Sequence, residues 1–153
     1  MSENSHKLPE GYKIVPLSYD FANRFWDRIQ DKAYLIFDSD KYTDYIDNMM
    51  RSLVVARDDE NIVFLIRPLS PPYALVHGVF FTKDALGKEE IRNMQRLMYW
   101  LMETYALTCV ECKVNRESEV LDRLLKCVGY SKIEDRSQVW GENTLSCYRF
   151  MGV

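Results

Sequence analysis

Cys109 and Cys112, in the run TCVECKV, stand at C-x-x-C spacing, which suits half of a zinc site or a redox pair. Either chemistry makes a further demand. Zinc needs two more ligands at matching spacing, and the chain has no second close cysteine pair and only two histidines, His6 and His77. A redox motif belongs at a helix start, whereas this run alternates like a strand, where residues three apart point to opposite faces. The pair therefore reads as structural thiols. With no export signal ahead of them, Cys109, Cys112, Cys127 and Cys147 are all expected to be reduced. His77, in YALVHGVFF, is the side-chain type that changes charge near neutral pH. In an alternating strand it reads either as a packed core residue or as a proton acceptor. Glu111, inside CVECKV, reads either as a proton acceptor or, more plainly, as a solvated strand position.

Two further patterns invite function. Met94, Met98 and Met102 recur at helical spacing, which fits a core stripe better than an adaptable binding surface. The segment Asp31 to Met50, DKAYLIFDSDKYTDYIDNMM, mixes five acids with Tyr34, Phe37, Tyr42 and Tyr45. It could line a site for a cationic amine or form a protein-contact surface with aromatic anchors. A helix with a buried aromatic face and an acidic solvent face explains it as well. The net charge of −3 argues against duplex nucleic acid and anionic membrane as partners. No apolar run reaches the ~20 residues that span a bilayer. The polar start, MSENSHKLPEG, reads as a flexible arm over residues 1–11 rather than a secretory signal, so a cytoplasmic location is expected.

The elements that must position these residues follow from periodicity. KIVPLS reads as a first strand with Pro16 at an edge or bulge. FANRFWDRIQ is helical, with Phe21, Phe25, Trp26 and Ile29 on one stripe and Ser18 or Asp20 as N-cap. A second helix is expected within SDKYTDYIDNMMRSL, burying Tyr42, Tyr45, Ile46, Met49 and Met50. The period then changes to two through LVVAR, NIVFLIRP and YALVHGVFFT, whose short turns DDEN and LSPP make them antiparallel neighbours. From Lys88 to Tyr105, Ile91, Met94, Leu97, Met98, Leu101, Met102 and Tyr105 keep a helical period without a miss. The strand Thr108–Val114 follows, so the strand–helix–strand order implies a parallel crossover. SEVLDRLLKCV is a helix ending at Gly129, and YSKIEDRSQVW pairs with TLSCYRF across WGEN. The expectation is one α+β domain over residues 12–153, with a mixed sheet of about seven strands and about four helices.

This order, with Ser118 eleven residues ahead of the Gly129-Tyr130 corner and the turn Trp140-Gly141-Glu142-Asn143 beyond it, resembles the GNAT acyltransferase superfamily over nearly the whole chain. The resemblance implies acetyl-CoA between the strand ending at Thr82 and the strand Thr108–Val114. Its pyrophosphate would sit at the N-terminus of the Lys88–Tyr105 helix, where free N–H groups and the helix dipole favour an anion. Phe81, Thr82, Lys83, Gly87, Lys88 and Arg92 are then the candidate cofactor contacts. His77 and Glu111 become candidate general bases, and Ser118, which opens the short helix, a further candidate catalytic residue.

The chain departs from the superfamily in two places. FFTKDALGKEEIRN keeps one glycine, Gly87, where the superfamily has a glycine-rich phosphate loop, and Asp84, Glu89 and Glu90 offset its cations. Seven residues after Ser118, where many members carry the tyrosine that protonates the leaving thiolate, stands Leu125. A poor phosphate loop with Leu125-Lys126 ahead of the corner is also similar to the GNAT-like internal proteins of some short-tailed phage virions. The sequence thus leans toward a diverged, weakly or non-catalytic domain that acts through protein contact, with a virion as its alternative location. The alternative function is an acetyl-CoA-dependent N-acetyltransferase acting on a small amine or peptide amine.

Overall fold

The computed structural model describes residues 7–31, 33, 39–68, 73–114, 119–140 and 143–152. Among the described residues, seven strands and four α-helices follow in the order β1 (Tyr12–Ile14), α1 (Tyr19–Ile29), α2 (Tyr42–Met50), β2 (Leu53–Arg57), β3 (Ile62–Pro68), β4 (Tyr73–Phe80), α3 (Lys88–Thr104), β5 (Cys109–Val114), α4 (Glu119–Val128), β6 (Tyr130–Trp140) and β7 (Asn143–Phe150), with a short 3-10 helix at Lys83–Leu86. The first strand begins and ends earlier than KIVPLS suggested. Proline has no N–H to give a ladder, and the pairing stops two residues before Pro16, after which Val15 still donates to Val54. Of the arm expected over 1–11, residues 7–11 are described; Pro9 is buried and Leu8 packs against the core.

The strands form one sheet in the order β1-β2-β3-β4-β5-β7-β6, antiparallel throughout except for β4 and β5. Alternation sends two sets of side chains to two faces. Phe64, Ile66, Val76 and Val110 join Met94, Leu97 and Leu101 of α3 on one face. Val63 and Leu65 join Phe21 and Phe25 of α1 and Tyr45 and Met49 of α2 on the other. Each large side chain buried there contributes about 1.5–3 kcal/mol. Ser18 caps α1 by accepting from the Phe21 N–H at 3.1 Å, and the buried Tyr45 hydroxyl donates to the Ala22 carbonyl at 2.6 Å, tying α2 to α1. Burial pushes the Tyr45 hydroxyl pKa up, with the neighbouring Tyr42 adding to it. Tyr42, Met50 and Tyr105, expected on buried stripes, are 40%, 38% and 48% exposed because each lies at a helix end.

Gly129 ends α4 at φ +123°, where a Cβ would meet the Phe150 ring at 2.9 Å and the Gly152 backbone at 3.1 Å. The corner read from the sequence is therefore required by geometry. Tyr130 then enters β6, which pairs with β7 through a register shift between Ile133 and Gln138. Of the WGEN turn, Gly141 and Glu142 lie outside the described residues.

Candidate functional site

β4 and β5 pair in parallel over three positions only: Tyr73 with Cys109, Ala74 with Val110 and Leu75 with Glu111. β4 continues to Phe80 on the β3 ladder, and β5 continues to Val114 on the β7 ladder. Past Leu75 the two strands have therefore parted, and the backbone groups of β4 that face β5 lose their ladder partners. A cavity of about 500 Å³ fills this wedge. Val76, Met94, Met98 and Cys112 line its floor, Leu121, Leu124 and Leu125 of α4 form one wall, and Thr82, Lys83 and Leu86 stand at its mouth. Tyr130 also reaches it, with its hydroxyl 3.0 Å from the Met98 sulfur and its pKa raised chiefly by burial, with Cys112 adding to the shift. Burial pushes the Cys112 thiol up to about 12, helped by Cys147 and Glu111, so it stays protonated.

The N-terminus of α3 lies at this mouth. Gly87 precedes it and offers no side-chain cap, and its own N–H closes the 3-10 turn on the Asp84 carbonyl at 2.8 Å. A Cβ at Gly87 would lie 3.1 Å from that carbonyl, so the turn is tight. Two of the three acids of this turn, Asp84 and Glu90, are drawn away from its cations, and Glu89 stays exposed at the helix start. Glu90 is turned back toward β1 and β2, where Tyr12 donates to it and Arg57 pairs with it at 3.2 Å. Asp84 approaches the same arginine at 3.5 Å. Burial, together with this bond to Glu90, raises the Tyr12 pKa. Lys83, Lys88 and Arg92 are exposed and have no carboxylate partner among the described residues. The helix start thus offers free N–H groups and three unmatched cations, which suits a bound anion.

On the far face of the split stand different groups. His77 and Lys113 border the cavity from β4 and β5. Cross-strand register puts His77 opposite Leu65, so Arg67, two residues further along β3, shares its face. His77 is half-buried and has no hydrogen-bond partner among the described residues. Burial first, then Arg67 and Lys113, lower its pKa to about 4, so at neutral pH it is an uncharged imidazole. Glu111 is held instead: Arg149 donates to one of its oxygens from Nε at 3.2 Å and Nη2 at 2.9 Å, and the Cys109 thiol approaches it at 3.6 Å.

Neither a known family profile nor a curated protein sequence matches this chain. Solved structures do. Spermidine N-acetyltransferase from Vibrio cholerae, in complex with CoA and spermine, superposes at a TM-score of 0.64 over 92% of this chain and 95% of its own, at 11% identity. RimL, a ribosomal L7/L12 α-N-protein acetyltransferase in complex with CoA, gives 0.66 over 94% and 96%, at 7% identity. A probable acetyltransferase gives 0.62 over 94% of both chains, at 18% identity. The fold is the GNAT fold.

On this GNAT framework the residues singled out from sequence separate. Thr82, Lys83, Gly87, Lys88 and Arg92 gather at the wedge mouth and helix start. The Phe81 side chain does not join them: it lies on the α1 face, edge-on to Phe25 and 3.6 Å under the Arg28 guanidinium. His77 borders the wedge, while Glu111 is tied up in its ion pair. Ser118 lies outside the described residues. Leu125, at the position where a proton donor was sought, is part of the apolar wall. Cys109 and Cys112 are buried thiols on opposite faces of β5, and none of the four cysteines is in a disulfide. In the Asp31–Met50 segment, residues 32 and 34–38 lie outside the described residues. Asp44 accepts from the Ser39 hydroxyl at 2.6 Å, and Asp47 pairs with Arg51 at 3.1 Å. Arg67 and Lys113 escaped sequence reasoning because each is one charge in a β-run, and only strand register brings them to His77.

Proposed function

We propose that this GNAT-fold protein binds an acyl-CoA in the wedge and transfers its acyl group, acetyl in the simplest case, to an amine. The observation that carries this is the open wedge, with its unmatched cations at the start of α3. Side chains filling that space would have excluded the ligand. The residues present fit acetyl-CoA: an apolar trough, a β4 edge with unpaired backbone groups for an amide-bearing arm, and a cationic helix start for phosphates. Acetyl-CoA, when bound, supplies a reactive thioester. The chain's own part is to lay that ligand along β4, keep water off the apolar walls, and hold an uncharged imidazole, His77, where an incoming amine loses its proton. The spermidine acetyltransferase and RimL were both solved with CoA, which supports the same ligand here.

The apolar Leu125 and the tethered Glu111 favour one second reading, in which acyl-CoA is bound without turnover. A thermal melt tests the shared step. Acetyl-CoA at a hundred times its dissociation constant should stabilise the fold by about 2.7 kcal/mol. No shift at millimolar ligand would remove both readings. Where a shift is seen, release of free thiol on adding amines separates transfer from binding alone.

A further inference from the structure

We propose that the acyl acceptor is a small amine carrying a carboxylate, which seats that carboxylate between Arg67 and Lys113 beside His77. This rests on the acyl-transfer reading above. The cavity is bordered by His77 and Lys113, so an acceptor amine approaching from the far face of the split would lie between these two residues. The Arg67 side chain comes from β3 on that same face and is half-buried. The Asn48 side-chain oxygen accepts from its Nη1, which fixes the guanidinium without neutralising it. Neither Arg67 nor Lys113 has a carboxylate partner among the described residues.

A half-buried arginine held in place by a neutral amide is a poor arrangement for stability and a good one for a fork-shaped contact with a carboxylate. Of the acids that could have served a polycation, Glu111 pairs with Arg149, Asp47 pairs with Arg51, and Asp44 accepts from Ser39, while Asp31 and Asp40 stay exposed to solvent. A polyamine would bring like charge to Arg67 and Lys113, which is the reverse of what the acidic composition of Asp31–Met50 suggested. The carboxylate would also relieve the histidine. The charged groups that lower His77 are Arg67 of β3 and Lys113 of β5, and an anion between them offsets both.

The test is thiol release at saturating acetyl-CoA with glutamate, its diamide and spermidine as acceptors, run beside the thermal shift given by acetyl-CoA. The expected result is a kcat/KM about tenfold or more higher for glutamate than for the diamide, with spermidine lowest, since a charged hydrogen bond is worth at least that ratio. Arg67→Gln and, at the exposed site, Lys113→Gln should each raise KM for glutamate about tenfold with kcat nearly unchanged. Arg67→Lys should restore part of the loss, and all three variants should keep the acetyl-CoA shift. Equal or better use of the diamide or spermidine, with that shift intact, overturns the acceptor assignment alone. Absence of the shift overturns the acyl-transfer reading and this inference with it. If no amine is turned over, the products give the same readout: N-acetylglutamate should raise the melting temperature more than N-acetylspermidine, and the opposite order overturns the proposal.

Discussion

Around the turn between β2 and β3, Arg57, Asp59 and Glu60 find opposite charges within the fold, whereas the cations around the split are left open. Glu60 takes Lys13 at 3.3 Å and Arg24 at 2.9 Å. Arg57 takes Asp59 at 2.7 Å and Glu90 at 3.2 Å, and the bond to Arg57 holds the Asp59 carboxyl down at about 2. At the split, Lys83, Lys88, Arg92, Arg67 and Lys113 have no acid opposite them among the described residues. Both regions are rich in charge, so composition does not tell them apart. The difference is that matched charges complete themselves within the fold, while open ones await charge from elsewhere.

The comparison breaks most visibly at Arg57. Arg57→Ala leaves Glu90, whose side chain is 13% exposed, without its cation, and should cost about 2–4 kcal/mol of unfolding free energy in urea melts. Acetyl-CoA affinity per folded molecule should fall only a few-fold, as Glu90 and Asp84 lose the cation that draws them from the helix start. A tenfold or greater loss would mean that the matched cluster itself serves the ligand.

The next effect is on pH dependence. His77 binds its proton at about 4 in the folded chain and near 6.5 in the unfolded one. Between those values the unfolded state holds more protons, so stability rises with pH there. Its contribution is fully present above about pH 6.5 and lost as pH falls toward about 4, amounting to about 1–3 kcal/mol. Urea melts at several pH values should show this limb in the wild type and not in His77→Gln. An unchanged limb in the variant would assign it to other groups.

The open cations should behave the other way round. Lys83→Ala, Lys88→Ala and Arg92→Ala combined should shift stability by no more than about 0.5 kcal/mol, as exposed substitutions do. Together they should weaken CoA binding roughly tenfold and flatten its salt dependence. Stability lost without affinity lost would place these residues among the matched ones.

The smallest effect is expected at Leu125. Leu125→Tyr sets a proton donor in the wedge wall, and at saturating CoA it should raise the rate of acetyl transfer by about tenfold at most, while its ring takes wedge space and weakens CoA binding. A rate that stays flat would show that protonation of the thiolate does not limit turnover.

Much of the framework was legible in the sequence, because α3 and the strands β2 to β4 repeat their apolar residues at periods that only one packing satisfies. The Gly129-Tyr130 corner was legible for a different reason, since a glycine after a helical stripe has few other uses. The site was legible only in part. Gly87, Lys88 and Arg92 are neighbours in sequence, so their shared place at a helix start could be read directly. Arg67, His77 and Lys113 come from three strands, and register, which no single run of residues encodes, brings them together. The ion pair of Glu111 was hidden for the same reason: its partner Arg149 lies 38 residues away and reaches it only because β5 pairs with β7.

Calorimetric titration of CoA into the wild type and into Leu125→Trp, whose larger ring would occupy the wedge, asks whether CoA enters it. One site per chain in the wild type, weakening as salt is raised and abolished in the folded variant, is the expected outcome. No heat in the wild type, or binding that Leu125→Trp leaves intact, would contradict it.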